Sequence, residues 1–228
     1  MFVEKSMLAP DTSYATPYYV VSSPRPGPVF MVVSGIHGNE PASIRAAQNL
    51  AGMFTRRELI LLKGRLIIVP LVNKKAYRKK IRGKPDLNRT FPYRGKSKAS
   101  HSLAGALFQL AQHHSPSWYL DLHEANGLSQ KNSKRVGQTL IISPGSRTAR
   151  VAKQIVKRMN RSITQSSYHF NIRRRERKGT SRKAVQEILG TKAVTVETCW
   201  SLDFSLRVQY QLDIVHHFLR TTGFIGLR

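Results

Sequence analysis

His37 and Glu40 stand three residues apart in Ser34-Gly35-Ile36-His37-Gly38-Asn39-Glu40, and a second histidine, His123, closes the segment Trp118-Tyr119-Leu120-Asp121-Leu122-His123, 86 positions after His37. Imidazole nitrogen and carboxylate oxygen are both good zinc ligands. Two His and one Glu leave a fourth position for water, the catalytic rather than the structural arrangement. The His-x-x-Glu pair is weak alone: eight histidines and twelve acids in 228 residues yield about 0.4 such pairs by chance, so it needs context. The competing reading of the pair is a helix-capping carboxylate beside a loop histidine. For His123 it is a strand-end histidine hydrogen-bonded to a neighbour.

Asp86-Leu87-Asn88-Arg89-Thr90-Phe91-Pro92 places an acid, an amide and a guanidinium within four residues, the most specific signal in the chain. Arg89 can hold a carboxylate through two parallel hydrogen bonds, and Asn88 can add a neutral donor. Asp86 is suited to orienting a metal-bound imidazole from behind. Glu124 follows His123 directly, but a strand alternates its side chains and should turn it away. Cys199 reads as a small packed residue, since no Cys/His dyad is indicated. His113-His114 and His216-His217 fall in predicted helices and read as packing or surface residues.

These groups must be positioned by alternating strands and helices. Strands are expected at 18–22 and 28–34, separated by Pro24-Arg25-Pro26-Gly27. A helix is expected over 40–54, with Pro41 in its first turn and Ile44, Ala47, Ala51 and Phe54 on one face. The run Arg65 to Val72 reads as a strand covered on both sides, with Pro70 pointing to an edge or strand end. Residues 73–100 read as a long basic connection. A helix follows over 101–112, then strands at 118–122 and 139–143, and a helix over 147–159. A second basic run, 173–178, leads to a helix over 182–189, a strand at 193–196 and a last helix over 204–219. Such alternation implies an α/β sandwich, three layers with a mixed, mostly parallel sheet. In such folds ligands gather at the carboxyl ends of strands, where each motif above lies.

The length suffices for one domain with a substantial core. One cysteine excludes an intrachain disulfide and a thiolate-rich zinc cluster. No apolar run approaches the ~20 residues of a membrane span, and the amino terminus lacks the pattern of a secretory signal. The expectation is a cytoplasmic protein without a membrane partner. Thirty-eight Lys and Arg against twelve Asp and Glu give a formal charge of +26. A field of that sign attracts phosphates, carboxylates and anionic polymers. The basic loops at 74–84 and 173–178 are expected to flank the pocket mouth, to draw in anionic substrates and to offer contacts to polyanions.

Taken together, Gly-Ile-His37-Gly-Asn-Glu40, Asp86-Leu-Asn88-Arg89-Thr-Phe-Pro, Asp121-Leu-His123 and a late strand carrying Glu197 resemble the succinylglutamate desuccinylase/aspartoacylase family, within the zinc carboxypeptidase superfamily. The resemblance spans roughly residues 28–200 in the right order. It implies a zinc carboxypeptidase-like fold and one Zn2+ per chain held by His37, Glu40 and His123, with Asp86 behind His37. It also implies Asn88 and Arg89 as carboxylate-binding residues and Glu197 as general base. An arginine ahead of the Asp-Leu-Asn-Arg motif would polarise the scissile carbonyl; Arg82 is the nearest match and Arg78 also qualifies. Tyr168 is a candidate for covering the pocket.

The implied function is a zinc-dependent deacylase cleaving an N-acyl amino acid or a related small anionic substrate with a free carboxylate. One alternative is a metallocarboxypeptidase acting on peptides or cell-wall peptides. Another is a basic nucleic-acid-binding module with a vestigial metal site. The chain is expected to form a single catalytic domain over 1–228, without the carboxy-terminal β domain of longer family members. The turn Thr198-Cys199-Trp200 also departs from the small, glycine-containing turn the family leads one to expect.

Overall fold

Phe30 and Val32 of one strand turn to one side of the sheet, Met31 and Val33 to the other, and all four are fully buried. The period of two separates the side chains, and burial on both sides marks a strand roofed by helices above and below. The computed structural model describes residues 1–145 and 147–226. In chain order its elements are β1 (Phe2–Leu8), β2 (Thr16–Ser22), β3 (Val29–Ser34), α1 (Pro41–Thr55), β4 (Arg65–Val69), α2 (Lys74–Arg78), α3 (Ser102–His114), β5 (Trp118–Ala125), β6 (Thr139–Ile142), α4 (Ala149–Arg161), β7 (Asn171–Arg174), α5 (Ser181–Leu189), β8 (Lys192–Cys199) and α6 (Phe204–Thr221).

Among the described residues the strands form one eight-stranded sheet, ordered β1-β2-β4-β3-β5-β8-β6-β7. Its centre, β4-β3-β5-β8, is parallel throughout; β1, β2 and β6 enter antiparallel, and β7 runs parallel to β6. The sheet is therefore mixed and mostly parallel, as expected. Helices α1, α4 and α6 cover one face through residues such as Phe54, Ile155 and Phe218. Helices α3 and α5 cover the other through Leu103, Leu107 and Val185. The result is a three-layer α/β sandwich.

Several boundaries shift for identifiable reasons. Strand β4 stops at Val69, so Pro70 ends a strand that lies inside the sheet. The basic stretch after it is not structureless. Asn73 caps α2 by accepting from the Ala76 amide, and Asp86 caps a single 3-10 turn, Leu87–Arg89, by accepting from that of Asn88. Such side-chain caps give short polar segments local order. Strand β5 continues to Ala125, so His123 lies within it. Part of the second basic run is β7, at a sheet edge where cationic side chains discourage further pairing. Among the described residues no helix is long and apolar enough to cross a membrane.

Candidate metal centre and active site

The carboxyl ends of β3, β5 and β8 are adjacent because these strands are parallel neighbours. The chain leaving β3 turns at Gly35, whose φ of +68° suits glycine, and carries His37 to the sheet edge. Gly38 packs so closely on α2 that a Cβ there would lie 2.0 Å from the Ala76 carbonyl carbon. His123 pairs in register with Glu197 across β5 and β8. The three segments thus deliver two imidazoles and two carboxylates to one buried place.

Glu40 occupies the N-cap of α1, yet its side chain caps nothing. The amide of Ala42 is instead taken by Glu124 Oε2 at 2.7 Å, while Arg207 donates to the other Glu124 oxygen. Glu124 faces the α1–α6 layer, as strand alternation requires, and so frees Glu40. Glu40 Oε1 lies 2.7 Å from His37 Nδ1, and Oε2 lies 2.8 Å from His123 Nδ1. One nitrogen or oxygen from each of the three falls within 4.8 Å of the others.

Each imidazole is held from behind at Nε2. His37 meets Asp86 Oδ1 at 3.0 Å. His123 has Asn88 Nδ2 at 3.2 Å and Asp121 Oδ1 at 3.0 Å, the latter off the line of a good hydrogen bond. With Nδ1 turned toward an ion, Nε2 carries the proton, and the carboxylates of Asp86 and Asp121 are the groups suited to accept it. Ser181 donates to the other Asp121 oxygen.

Electrostatics point to a cation at the centre. Burial opposes ionisation of Glu40, but the two imidazoles hold its carboxyl down to about 2. Burial likewise opposes protonation of His123, yet Asp121 and Glu40 raise it well above the ordinary histidine range. Two protonated imidazoles sharing one carboxylate, their rings 4.9 Å apart, would be a crowded buried arrangement. A divalent ion can replace both protons, so the donor set fits zinc. Glu197 Oε2 is buried with no hydrogen-bond partner, and burial pushes that carboxyl up to about 8.

The remaining residues divide. Arg82 Nε donates to Asp86 Oδ2 at 3.1 Å and its Nη1 lies 3.8 Å from Glu40 Oε1. It lines the catalytic pocket, whereas Arg78 faces separate surface hollows beside α2. Arg89 also lines the pocket; its Nη1 donates to the Asn88 carbonyl and Nη2 stands 3.9 Å from Asp86. The Asn88 side chain is engaged at Oδ1, which accepts from the Ser181 amide at 2.9 Å, while Nδ2 lies against His123. Asn88 lines the pocket, and with the proton of His123 on Nε2 its Nδ2 finds no acceptor there and stays a donor for a ligand. Tyr168 does not line the pocket: it packs on the core beneath α4 and α6, near Tyr210. Of the 74–84 run only Arg82 reaches the pocket, while Arg175 and Arg177 of the second run do.

Sequence reading missed Arg182. It is 3% exposed, lines the pocket and has no carboxylate in ion-pair contact among the described residues. Its guanidinium donates to Ser143 Oγ and the Arg175 carbonyl, both at 2.7 Å. Its hydrogen bonds go to neutral acceptors, while Asp121 and Glu176 act on it from beyond ion-pair distance, an arrangement that suits an anionic ligand. Nothing in its helical sequence context marked it, since only the folding of α5 onto β8 brings it to the pocket. Asp121 was legible in principle, because two residues before His123 on a strand is the same face. Ala125, Val136, Ile141 and Trp200 form a less polar wall.

Comparison with known proteins gives the family of the chain and relatives of its fold. The family described as succinylglutamate desuccinylase/aspartoacylase catalytic domain matches residues 26–207. No curated protein sequence matches. Among solved structures, apo cell shape determinant protein Csd4 from Helicobacter pylori superposes with TM-score 0.74 at 20% identity, over 100% of this chain and 57% of that one. An aspartoacylase family protein from Mesorhizobium loti gives 0.70 at 21%, over 99% and 68%. The mDAP-bound form of H. pylori Csd4, a D,L-carboxypeptidase, gives 0.69 at 19%, over 86% and 51%. The chain thus spans about half the length of the Csd4 structures it matches.

Proposed function

The chain belongs to the succinylglutamate desuccinylase/aspartoacylase catalytic-domain family, and from that premise we propose that it is a zinc-dependent hydrolase removing an acyl group from an N-acyl amino acid or a related carboxylate-bearing amide. The observation that carries this reading is the convergence of His37 Nδ1, His123 Nδ1 and the Glu40 carboxylate beside the orphaned oxygen of Glu197. His37, Glu40 and His123 would hold one ion, with Asp86 and Asp121 fixing the imidazoles. When bound, zinc supplies a positive charge that polarises a carbonyl and lowers the pKa of water toward ~7.

In this reading Glu197 takes a proton from water as the new C–O bond forms. It then gives that proton to the departing nitrogen as the C–N bond breaks, so a carboxylic acid and an amine leave. Burial raises the proton affinity of this carboxyl, which makes it the stronger base once it is ionised. Arg82 faces the oxygen on which negative charge develops, an interaction worth roughly 3–4 kcal/mol when such a donor is removed. Arg89 fixes the substrate carboxylate and so aligns the scissile bond. Arg182, with Arg175 and Arg177 on the rim, selects a second anionic group on the substrate.

A carboxypeptidase acting on short peptides is the second reading, favoured by the likeness to Csd4. Arg89 would then hold the terminal carboxylate of the peptide. Metal analysis of the purified chain, joined to a screen of N-acyl amino acids and short peptides, tests both readings. One zinc per chain and turnover of an acylated acidic amino acid are expected. In Glu197→Gln the zinc should stay while turnover falls by roughly 10³-fold. Zinc without turnover of any acylated amino acid, but with release of a terminal residue from peptides, would replace the first reading with the second. A chain that takes up no zinc would end both.

A further inference from the structure

Away from the catalytic pocket, α4 and α6 meet along a seam that opens into a hollow of about 370 Å³ lined by Lys157, Arg158, Arg161 and Arg220, with Gln154 and Thr221 between them. None of these residues lines the catalytic pocket. Four cations therefore converge from two helices. No ion pair joins any of the four to a carboxylate among the described residues. The Nε of Arg220 is shielded from solvent and has no hydrogen-bond partner. Asp213, an acid on α6 close enough to sense Arg220, already accepts from Gln209. The neighbouring His217 is pushed below the ordinary histidine range by burial and by the charges of Arg158 and Arg220. Close cations without a counter-charge repel one another, and a bound anion removes that repulsion.

The sequence around the hollow points the same way. From residue 125 to residue 175 the chain contains twelve Lys and Arg and not one Asp or Glu. Helix α4 exposes Arg150, Lys153, Lys157, Arg158 and Arg161, while Ala152, Ile155 and Met159 are buried in the core. An ordinary solvated helix mixes both signs, because i,i+4 pairs of opposite charge stabilise it. Here that option is not used. With its apolar side already committed to the core, α4 has no hydrophobic face left to insert into a bilayer.

We propose that the α4–α6 seam is a second anion site, taking two or more closely spaced phosphate groups. Guanidinium forks match phosphate oxygens in pairs, and four cations suit a charge greater than that of one carboxylate. The phosphates come either from a free di- or polyphosphate or from a nucleic-acid backbone.

The test titrates the full zinc-loaded chain with pyrophosphate and, separately, with a single-stranded oligonucleotide, following backbone amide shifts by NMR. Saturable shifts over 153–161 and at Arg220 are expected. They should weaken about tenfold or more in Arg158→Gln/Arg161→Gln, and remain in the charge-matched control Lys96→Gln/Lys98→Gln. Hydrolysis should be unchanged in both variants. Binding of pyrophosphate assigns the site to a small polyphosphate. Binding of the oligonucleotide alone, with steep salt dependence, assigns it to a nucleic-acid backbone. Shifts confined to residues of the catalytic pocket, no shift with either probe, or equal weakening in the control would overturn the proposal. Lys157→Gln provides the same measurement should the double variant fail to fold.

Discussion

Five of the twelve carboxylates of this chain, those of Glu40, Asp86, Asp121, Glu124 and Glu197, are gathered at or beside the catalytic centre, whereas the flank formed by β6, α4 and β7 has none. In the centre four of these five carboxylates are matched, and Glu197 is the exception. Glu40 lies between two imidazoles, Asp86 between His37 and Arg82, and Glu124 between an amide and Arg207. On the flank the α4 cations Arg150, Lys153, Lys157, Arg158 and Arg161 are exposed, and among the described residues none of them is in an ion pair. Taking a charge out of water is costly unless it is paired, while a solvated charge bears only the milder repulsion of its neighbours. The difference separates what the fold depends on from what a ligand could use. Changes in the centre should be severe and specific, and changes on the flank should leave fold and chemistry intact.

Among the groups behind the candidate ligands, the strongest break expected comes from loosening His37. In Asp86→Asn, zinc affinity measured by competition with a chelator should fall roughly 10–100-fold. An unchanged affinity would mean that Asp86 does not orient the imidazole. Arg182→Gln tests the mixed zone where the arginines approach the centre. KM for substrates with two anionic groups should rise by about tenfold or more, with kcat little changed. An equal rise for substrates with a single carboxylate would argue for a purely structural arginine. Glu124→Gln leaves Arg207 without its counter-charge and should cost about 1–3 kcal/mol in chemical denaturation, while zinc stoichiometry is retained.

The zinc-free chain should also show the charge bias of the centre as a pH dependence. Glu197, pushed up by burial to about 8, keeps its proton in the folded state while the unfolded chain loses it near 4.5. That contribution is complete below the unfolded value and is lost as pH rises toward 8. His37, where burial is outweighed by Glu40 and Asp86, and His123 are both raised and act in the same direction. Melting temperature of the zinc-free chain should therefore fall between pH 6.5 and pH 8, above the range in which His114, His216 and His217, all lowered by burial, act in the opposite direction, and Glu197→Gln should flatten the slope. The smallest effect belongs to the flank. Neutralising Lys153 and Lys157 should change stability by no more than about 0.5 kcal/mol, and a larger loss would show that its charges are structurally engaged after all.

How much of this was legible depended on whether the information was local. The strand–helix alternation and the order of the motifs were, because periodicity and short spacings report them directly. Arg182 and the contact between Ser181 and Asn88 were not, since α5 must fold against β5 and β8 before Ser181 meets the Asp-Leu-Asn-Arg turn and Arg182 reaches the pocket. Tyr168 shows the converse. An aromatic residue just before an arginine run suggests a pocket cover, but the 3-10 turn that carries it packs on the core. The strand β7 was hidden because its Asn-Ile-Arg-Arg sequence has the composition of a solvated loop, and only pairing with β6 makes it a strand.

The close approach of residue 38 to α2 has a mechanical outcome. With no room for even a methyl group between them, the loop bearing His37 and the first turns of α2 behave as a single rigid jaw, and the backbone that leads on to Arg82 starts from that jaw. The opposite margin, which carries Arg175, Arg177 and Trp200, is tied as well: the Arg175 and Trp200 amides donate to the Ile142 and Ala125 carbonyls, and Gly179 packs on the Arg89 backbone. Both sides of the pocket are thus set by backbone packing, so the distance between them is fixed by the fold before any ligand arrives.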